Sequence, residues 1–114
     1  MKRGEVWTIG GAKDYASKPR PAVVVQDDAF GDSESITLCP FTTDTEGGPL
    51  TRPAIEPNRA NGLRQPSRLM IDKITTVSKT KMGQRIGYLE EVEINLLNQA
   101  MLTFLGLAVR EVDR

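Results

Sequence analysis

Two prolines flank one arginine immediately before an uninterrupted run of valines, and this feature limits the possible fold more than any other. Pro19 and Pro21 fix their own φ angles and push each preceding residue out of the helical region. Residues 22–26 then include three consecutive valines, which is typical of a short buried strand. Arg20 is therefore held extended where a loop becomes core. A solvated arginine at a strand entry is the ordinary interpretation, and the rigid flanks favour a functional one.

Length and residue types limit the class of protein. The chain has 114 residues, enough for one domain with a modest core, and we expect residues 1–114 to form it. Neither an apolar signal region nor a membrane-spanning stretch of ~18–20 apolar residues is visible, so we expect a cytoplasmic protein that does not bind membranes. Histidine is absent and Cys39 is the single cysteine. These counts argue against a zinc site, predict no cofactor, and make Cys39 a small core residue rather than a nucleophile.

Charges are segregated along the sequence although the net charge is zero. Residues 21–51 contain six carboxylates and no lysine or arginine, whereas residues 51–68 contain four arginines against Glu56. Such segregation can give a neutral protein one basic face suited to an anionic partner. Folding can also mix the signs again.

The apolar pattern predicts a mainly β (α+β) fold with one helix. The predicted strands are 4–9, 22–26, 35–41, a short edge strand within 52–57, the long stretch 67–77 with a bend at Asp72-Lys73, and 84–88. The helix is expected from Glu90 to about Leu105, with Gly106 as its stop and an apolar stripe that includes Leu97, Ala100, Met101 and Phe104. Phe30 is expected to tuck back as an anchor. Together these elements suggest a small barrel of about six or seven strands closed by a C-terminal helix.

Asp72 interrupts an otherwise apolar stretch, so we expect it to be partly buried and paired with an arginine or with backbone amides. A structural carboxylate at the bend and a catalytic one are both open interpretations. Thr42 and Thr43 follow the third predicted strand, where their hydroxyls are exposed.

Ordered motifs run along nearly the whole chain. They are Arg3-Gly4-Glu5-Val6-Trp7, Arg20-Pro21 with the valine run, Cys39-Pro40-Phe41-Thr42, the stretch 67–77, Ile86-Gly87-Tyr88-Leu89 and Phe104-Leu105-Gly106-Leu107. In this order they resemble MazF/PemK-type toxins, the endoribonucleases of type II toxin–antitoxin modules. Residues 10–21 look especially like the loop of actinobacterial members.

The resemblance implies an SH3-like barrel that forms a homodimer and cleaves single-stranded RNA sequence-specifically without a metal. The expected substrate is mRNA, with rRNA or tRNA as further targets, and the expected result is inhibition of translation and growth. Family members use an arginine at the position of Arg20 and a threonine at that of Thr42. Some relatives place a carboxylate at the position of Asp72, with an arginine two residues earlier where this chain has Met70. The implied partner is an antitoxin with an acidic, disordered C-terminal segment.

RNA contacts are expected from the first loop, where Tyr15 can stack on an unpaired base, and from the arginine-rich stretch. The predicted RNA-binding residues are Lys13, Tyr15, Ser17, Lys18, Arg52, Arg59, Arg64, Ser67 and Arg68. Some relatives carry a histidine in the first loop, and this chain has none, so a mechanism that needs imidazole does not apply.

Two other functions compete with this interpretation. A CcdB-like poison of DNA gyrase has the same fold but depends on a tryptophan near the end of its helix, whereas the one tryptophan here is Trp7. A non-catalytic SH3-like module, whose groove simply holds a peptide or RNA, is not excluded by any rule of composition.

Overall fold

Seven β-strands and one α-helix make up residues 1–10 and 19–108, which are the residues described in a computed structural model. The strands are β1 (Glu5–Ile9), β2 (Arg20–Val24), β3 (Ser35–Thr42), β4 (Ala54–Ile55), β5 (Ser67–Leu69), β6 (Thr75–Ser78) and β7 (Met82–Tyr88), and the helix is α1 (Glu91–Phe104). Three short 3-10 turns cover Asp28–Phe30, Ile71–Lys73 and Lys79–Lys81. No helix within these residues has the length and apolar character to span a membrane.

All strand pairs are antiparallel, and the sheet runs in the order β4-β5-β3-β2-β1-β7 with β6 paired to β3. Strand β3 is the longest and lies at the centre. The expected fold of six or seven strands with a C-terminal helix is confirmed, as is the short edge strand β4 within 52–57.

The stretch 67–77 forms two strands rather than one bent strand. β5 pairs with the end of β3, at Phe41 and Thr42, while β6 pairs with its beginning. The turn at Ile71–Lys73 separates them, so the predicted bend is confirmed. The backbone N–H of Met70 donates to Pro40 O at 2.9 Å and holds this turn against β3.

Alternate residues of β2 and β3 enter two apolar clusters on opposite faces of the sheet. Val23 and Cys39 pack in the cluster that contains residues of α1, whereas Ala22, Val24 and Leu38 pack on the other face. Because strand side chains alternate, a run of valines buried at every position supplies both faces. The buried strand predicted from that run is confirmed, although it begins at Arg20.

Cys39 is fully buried and free. Burial raises the pKa of its thiol to about 12, and the negative charge of Asp72 acts in the same direction. The thiol therefore stays protonated near neutral pH, and the prediction of a core residue is confirmed.

Helix α1 begins at a capping box and ends at a glycine. Glu93 Oε1 accepts a hydrogen bond from the backbone N–H of Glu90 at 2.9 Å, while the Glu90 side chain accepts from the backbone of Glu93. Gly106 has a φ of +73° and donates its N–H to Thr103 O, which is a glycine-dependent C-terminal cap. The predicted stop is confirmed.

Two aromatic side chains are more exposed than expected. Phe30 is 68% exposed, so the prediction that it anchors its turn is wrong; the turn is held by Asp27, whose side chain accepts from Ala29 N. Phe104 is 46% exposed because the apolar cluster beneath α1 extends to Met101 and not to the final turn of the helix.

One buried amide joins α1 to the connector between β4 and β5. Asn61 is fully buried, and its Oδ1 accepts from Asn58 N at 3.1 Å and Leu63 N at 3.0 Å. Its Nδ2 donates to Glu56 O at 2.9 Å and to Glu93 Oε2 at 3.0 Å. All four hydrogen-bonding positions of the amide are therefore filled within the protein.

The same connector lies directly against β7. A Cβ at Gly62, whose φ is +70°, would lie 2.2 Å from Ile86 O, and one at Gly87 would lie 2.2 Å from Ala60 O. Only glycine allows this approach. Strands β7 and β4 are at opposite ends of the sheet order. Because the connector that follows β4 touches β7, these contacts hold the sheet in a curled shape.

Replacing Asn61 with alanine is expected to lower the free energy of unfolding by about 2–4 kcal/mol, because several buried polar groups lose their partners at once. Urea denaturation measures this change. Asn95→Ala, at an exposed position of α1, is the control and should leave stability within about 0.5 kcal/mol, since alanine favours a helix. Equal midpoints for the two variants would contradict the role assigned to Asn61.

Candidate active site

Arg20, Thr42 and Arg68 form one row across three strands. The ladder between β2 and β3 runs from Val24 opposite Leu38 to Ala22 opposite Pro40, and Arg20 and Thr42 each lie two residues beyond its last pair. Thr42 lies opposite Arg68 on β5. Because side chains opposite each other, or two residues apart along one strand, share a face of the sheet, Arg20 and Arg68 carry guanidinium groups on the same face as the Thr42 hydroxyl. We call this set the Arg20–Thr42–Arg68 row.

Local sequence explains how the row is built. Pro40, predicted to mark a strand end or an edge, lies inside β3, two residues before its end. It falls between the two partners on that edge, since the last residue of β5 lies opposite Phe41 and the first residue of β6 lies opposite Leu38. The change of partner makes the position compatible with proline, and β3 continues to Thr42.

The side chains of the row are accessible to a ligand. Arg20 is exposed, whereas Thr42 and Arg68 are half-buried. Thr42 Oγ1 accepts a hydrogen bond from the backbone N–H of Asp44 at 3.1 Å. This bond uses an acceptor position of the hydroxyl and leaves its O–H as a donor.

Asp72 is paired with Arg52, which confirms the expected arginine partner. Arg52 Nε lies 3.2 Å from Asp72 Oδ1, and Arg52 Nη2 lies 3.3 Å from Oδ2. The hydrogen bonds from Arg52 lower the pKa of the Asp72 carboxyl. The expected partial burial is confirmed for the Asp72 side chain, which is 32% exposed, although the 3-10 turn carries the residue out of the strand and onto the surface.

The predicted RNA-binding residues occupy different environments. Arg59 and Arg64 are exposed on the connector, while Arg68 donates from Nη1 to Gly47 O at 3.0 Å. Ser67 is buried, and its hydroxyl donates to Gln65 O at 2.9 Å, so it is directed into the protein rather than toward a bound RNA. Four predicted residues lie outside the described residues: Lys13, Tyr15, Ser17 and Lys18.

The segment 43–53 follows Thr42 and contains Arg52, so it lies beside the row. The hydrogen bonds that Arg52 donates to Asp72 raise the pKa of Arg52 most, and the charges of Asp44 and Glu46 raise it further. The acidic stretch was visible in the sequence, but its position beside this arginine was not. The glycine at position 47 was a local sign of an unusual backbone conformation, and its φ in the structure is +93°.

Metal ligands are not grouped in the described part of the chain. No set of three or more His, Cys, Asp or Glu side chains placed to hold a metal ion occurs within it.

The structure is a small curled antiparallel sheet with one C-terminal helix, and it carries two arginines and a threonine on one face. Residues 2–105 match the family described as PemK-like, MazF-like toxins of type II toxin-antitoxin systems. The chain belongs to this family. It is 44% identical over 108 residues to a probable endoribonuclease MazF of Mycolicibacterium smegmatis, covering 95% of this chain and 99% of that protein.

Solved structures share the fold. The Mycobacterium tuberculosis toxin MazF-mt6 superimposes with a TM-score of 0.75 at 24% identity, covering 92% of this chain and 99% of that one. A mycobacterial endoribonuclease in complex with its cognate antitoxin gives 0.75 at 22% identity, covering 96% and 99%. A MazE–MazF structure from Deinococcus radiodurans gives 0.75 at 15% identity, covering 95% and 98%. The comparisons favour neither the gyrase-poison nor the binding-module alternative.

The Arg52–Asp72 pair should make stability depend on pH in the acidic range. Because the folded-state pKa of Asp72 is lowered, its stabilising effect is present above the unfolded pKa of about 3.9 and is lost as pH falls through the lower folded value. Wild type is therefore expected to melt above Asp72→Asn at pH 7, with the difference closing below about pH 4. Melting curves from pH 7 to pH 2 measure it, and a constant difference would contradict the assignment.

Proposed function

We propose that this chain is an endoribonuclease toxin that cleaves single-stranded RNA to 2′,3′-cyclic phosphate and 5′-hydroxyl ends. The observation that carries the proposal is the pairing of Thr42 with Arg68, on the face and at the end of the sheet where β2 begins with Arg20, in a chain 44% identical to a probable endoribonuclease. Its targets are mRNA, with rRNA and tRNA as further substrates, and cleavage in the cytoplasm stops translation and growth.

The reaction needs little beyond geometry and charge. The 2′-oxygen of one nucleotide attacks the adjacent phosphorus in line with the 5′-oxygen that leaves, and the proton of the 2′-hydroxyl must be removed. The new P–O bond forms as the bond to the 5′-oxygen breaks, and the leaving oxygen takes up a proton. Negative charge on the non-bridging oxygens must be stabilised throughout.

Arg20 is the proposed phosphate clamp. Its planar guanidinium can donate to two non-bridging oxygens at once and keeps its proton at any relevant pH. Its flanking prolines restrict the backbone on which the side chain stands, so little reorganisation is needed when the charge develops.

Thr42 is the proposed orienting donor. Since its Oγ1 already accepts from Asp44 N, its O–H can donate to a phosphate oxygen or to the 2′-oxygen. A threonine hydroxyl is too weakly acidic to act as a base, so its contribution is geometric. Arg68, the third member of the row, would place a second positive charge beside the same phosphate.

The proton acceptor has two candidates: the Asp72 carboxylate and a water held by the row. No metal enters the proposed mechanism, because guanidinium groups supply the positive charge. The chain also lacks histidine, and its one cysteine is buried.

Arg59 and Arg64 would follow the RNA backbone from the connector, with Lys13, Tyr15, Ser17 and Lys18 approaching from the first loop. Such contacts release counterions, so affinity should fall as salt rises. Arg52 was expected to join them, and its pairing with Asp72 suggests a different task.

Replacing Arg20 with alanine is expected to lower kcat by about 10²–10³, as removal of a preorganised donor does in comparable sites. The assay incubates a long RNA with folded, inhibitor-free protein in EDTA and tests whether the new ends accept phosphate from polynucleotide kinase without prior phosphatase treatment. Arg20→Lys should retain part of the activity, since a single ammonium keeps the charge but not the fork.

Arg85→Gln is the control, because this exposed arginine pairs with Glu5 at the opposite end of the sheet. Intact RNA with the wild-type protein would refute the proposed activity. Equal rates for wild type and Arg20→Ala would refute the proposed clamp.

We further propose that the chain acts as a homodimer and is inhibited by an antitoxin whose acidic, disordered C-terminal segment occupies the basic groove. Two of the structural relatives are complexes of a toxin with its antitoxin. Cleavage should therefore fall to background when saturating antitoxin is added, and an antitoxin without its acidic segment should inhibit far less. Unchanged cleavage at saturation would contradict a shared groove.

A further inference from the structure

We propose that Asp72 is a positioning residue, not the proton acceptor: through Arg52 it holds segment 43–53 and, at the near end of that segment, the Thr42 hydroxyl. This inference rests on the proposed function. It gives the Asp72 carboxylate the task of holding Arg52 in place, and an experiment can separate this task from base catalysis.

Both oxygens of Asp72 are engaged by one guanidinium group. Arg52 directs Nε to Oδ1 at 3.2 Å and Nη2 to Oδ2 at 3.3 Å, which is a parallel two-bond arrangement. A general base needs an available lone pair and a pKa near the operating pH. The pairing works against the second requirement, since it lowers the pKa of Asp72, and it fixes the carboxylate toward Arg52 by one hydrogen bond to each oxygen.

The stem of Arg52 supports the middle of segment 43–53. A Cβ placed at Gly47 would lie only 2.8 Å from Arg52 Cδ, so the glycine backbone rests directly on this side chain. Gly47 O in turn accepts from Arg68 Nη1 at 3.0 Å. Gly47 is thus enclosed by Arg52 and by a member of the Arg20–Thr42–Arg68 row.

Backbone hydrogen bonds tie the far end of the segment to the turn that carries Asp72. The N–H of Ile71 donates to Thr51 O at 3.1 Å, and that of Leu69 donates to Pro53 O at 3.0 Å. Arg52 N donates to Gly48 O at 2.9 Å and closes a turn within the segment.

The near end of segment 43–53 contacts the hydroxyl of Thr42. Asp44 N donates to Thr42 Oγ1 at 3.1 Å, which orients the O–H of the threonine. Loss of either Arg52 or Asp72 therefore releases the middle of segment 43–53. One end of this segment follows Thr42, and the other end is bonded to the turn that carries Asp72. The two substitutions should have one shared effect.

A double-mutant cycle tests this sharing. We expect Arg52→Gln and Asp72→Asn each to lower kcat about tenfold, and the double variant to lower it about tenfold rather than a hundredfold, since contacting residues that act as a unit are not additive. The charge-exchanged variant Arg52→Asp with Asp72→Arg restores the ion pair but not the Arg52 stem beside Gly47, so it should recover part of the lost activity, although it has no carboxylate at position 72.

Salt dependence separates positioning from direct RNA binding by Arg52. A side chain that contacts a phosphate of single-stranded RNA contributes about −0.7 to the slope of log affinity against log salt. We expect Arg52→Gln to keep the wild-type slope. The control pair is Glu5 and Arg85, at the other end of the sheet: Glu5→Gln and Arg85→Gln should leave kcat unchanged.

Several outcomes would overturn the proposal. A loss of about 10²–10⁴ for Asp72→Asn with little effect of Arg52→Gln would identify a general base. The proposal would also be refuted if the losses in kcat were additive in the double variant, or if each single variant kept near-wild-type kcat. A shallower slope of log affinity against log salt for Arg52→Gln would refute it as well. If the charge-exchanged variant does not fold by circular dichroism, the coupling in the Gln/Asn cycle decides. Failure of the proposed function is distinct, because the wild-type protein would then leave RNA intact.

Discussion

Strand β3 exchanges backbone hydrogen bonds with three neighbours, and the rest of the structure depends on that register. β2 lies along one edge, while β6 and β5 share the other in succession. The ladder that sets Val23 against Cys39 in the cluster below α1 also sets Ala22 against Pro40 on the other face, which is the face of Arg20 and Thr42. Because strand side chains alternate, a slip of one residue in β2 would turn Arg20 toward the cluster below α1. Packing and chemistry are therefore fixed by the same hydrogen bonds.

Three carboxylates lie near one arginine beside the Arg20–Thr42–Arg68 row. The carboxylates of Asp44, Glu46 and Asp72 lie near Arg52 and raise its pKa. Arg52 is also the arginine that pairs with Asp72. The carboxylate charges act on this guanidinium group at short range, where salt screens them less than it screens distant surface charges. Arg52 therefore offsets part of this negative charge, and the guanidinium groups of Arg20 and Arg68 are left without a paired carboxylate among the described ion pairs.

Local patterns predicted what is determined locally. Alternation and the valine run located the first three strands, and the glutamates and Gly106 located the ends of α1, since caps depend on residues a few positions apart. The bend at Asp72 was also visible. The resemblance to a toxin family supplied the role of Thr42, whereas the flanking prolines marked Arg20 independently.

Contacts between distant parts of the chain could not be read in this way. Asn61 bonds a glutamate on a helix that begins thirty positions later, and nothing around Asn61 indicates that it is buried. The partner of Arg52 and the division of 67–77 between two positions along β3 likewise depend on how the sheet curls. Phe30 shows the converse error, since an aromatic residue in a turn was assumed to be buried.

The buried Asn61 has a consequence for how new specificities arise. The shape of the connector is determined from inside, by an amide and by glycines that touch β7, while Arg59 and Arg64 extend from its outer side. Exchange of these outer side chains leaves every internal bond of the connector intact. Natural variation can therefore alter the outer surface of the connector without a penalty in folding, so surface chemistry and stability are free to evolve separately on this short stretch.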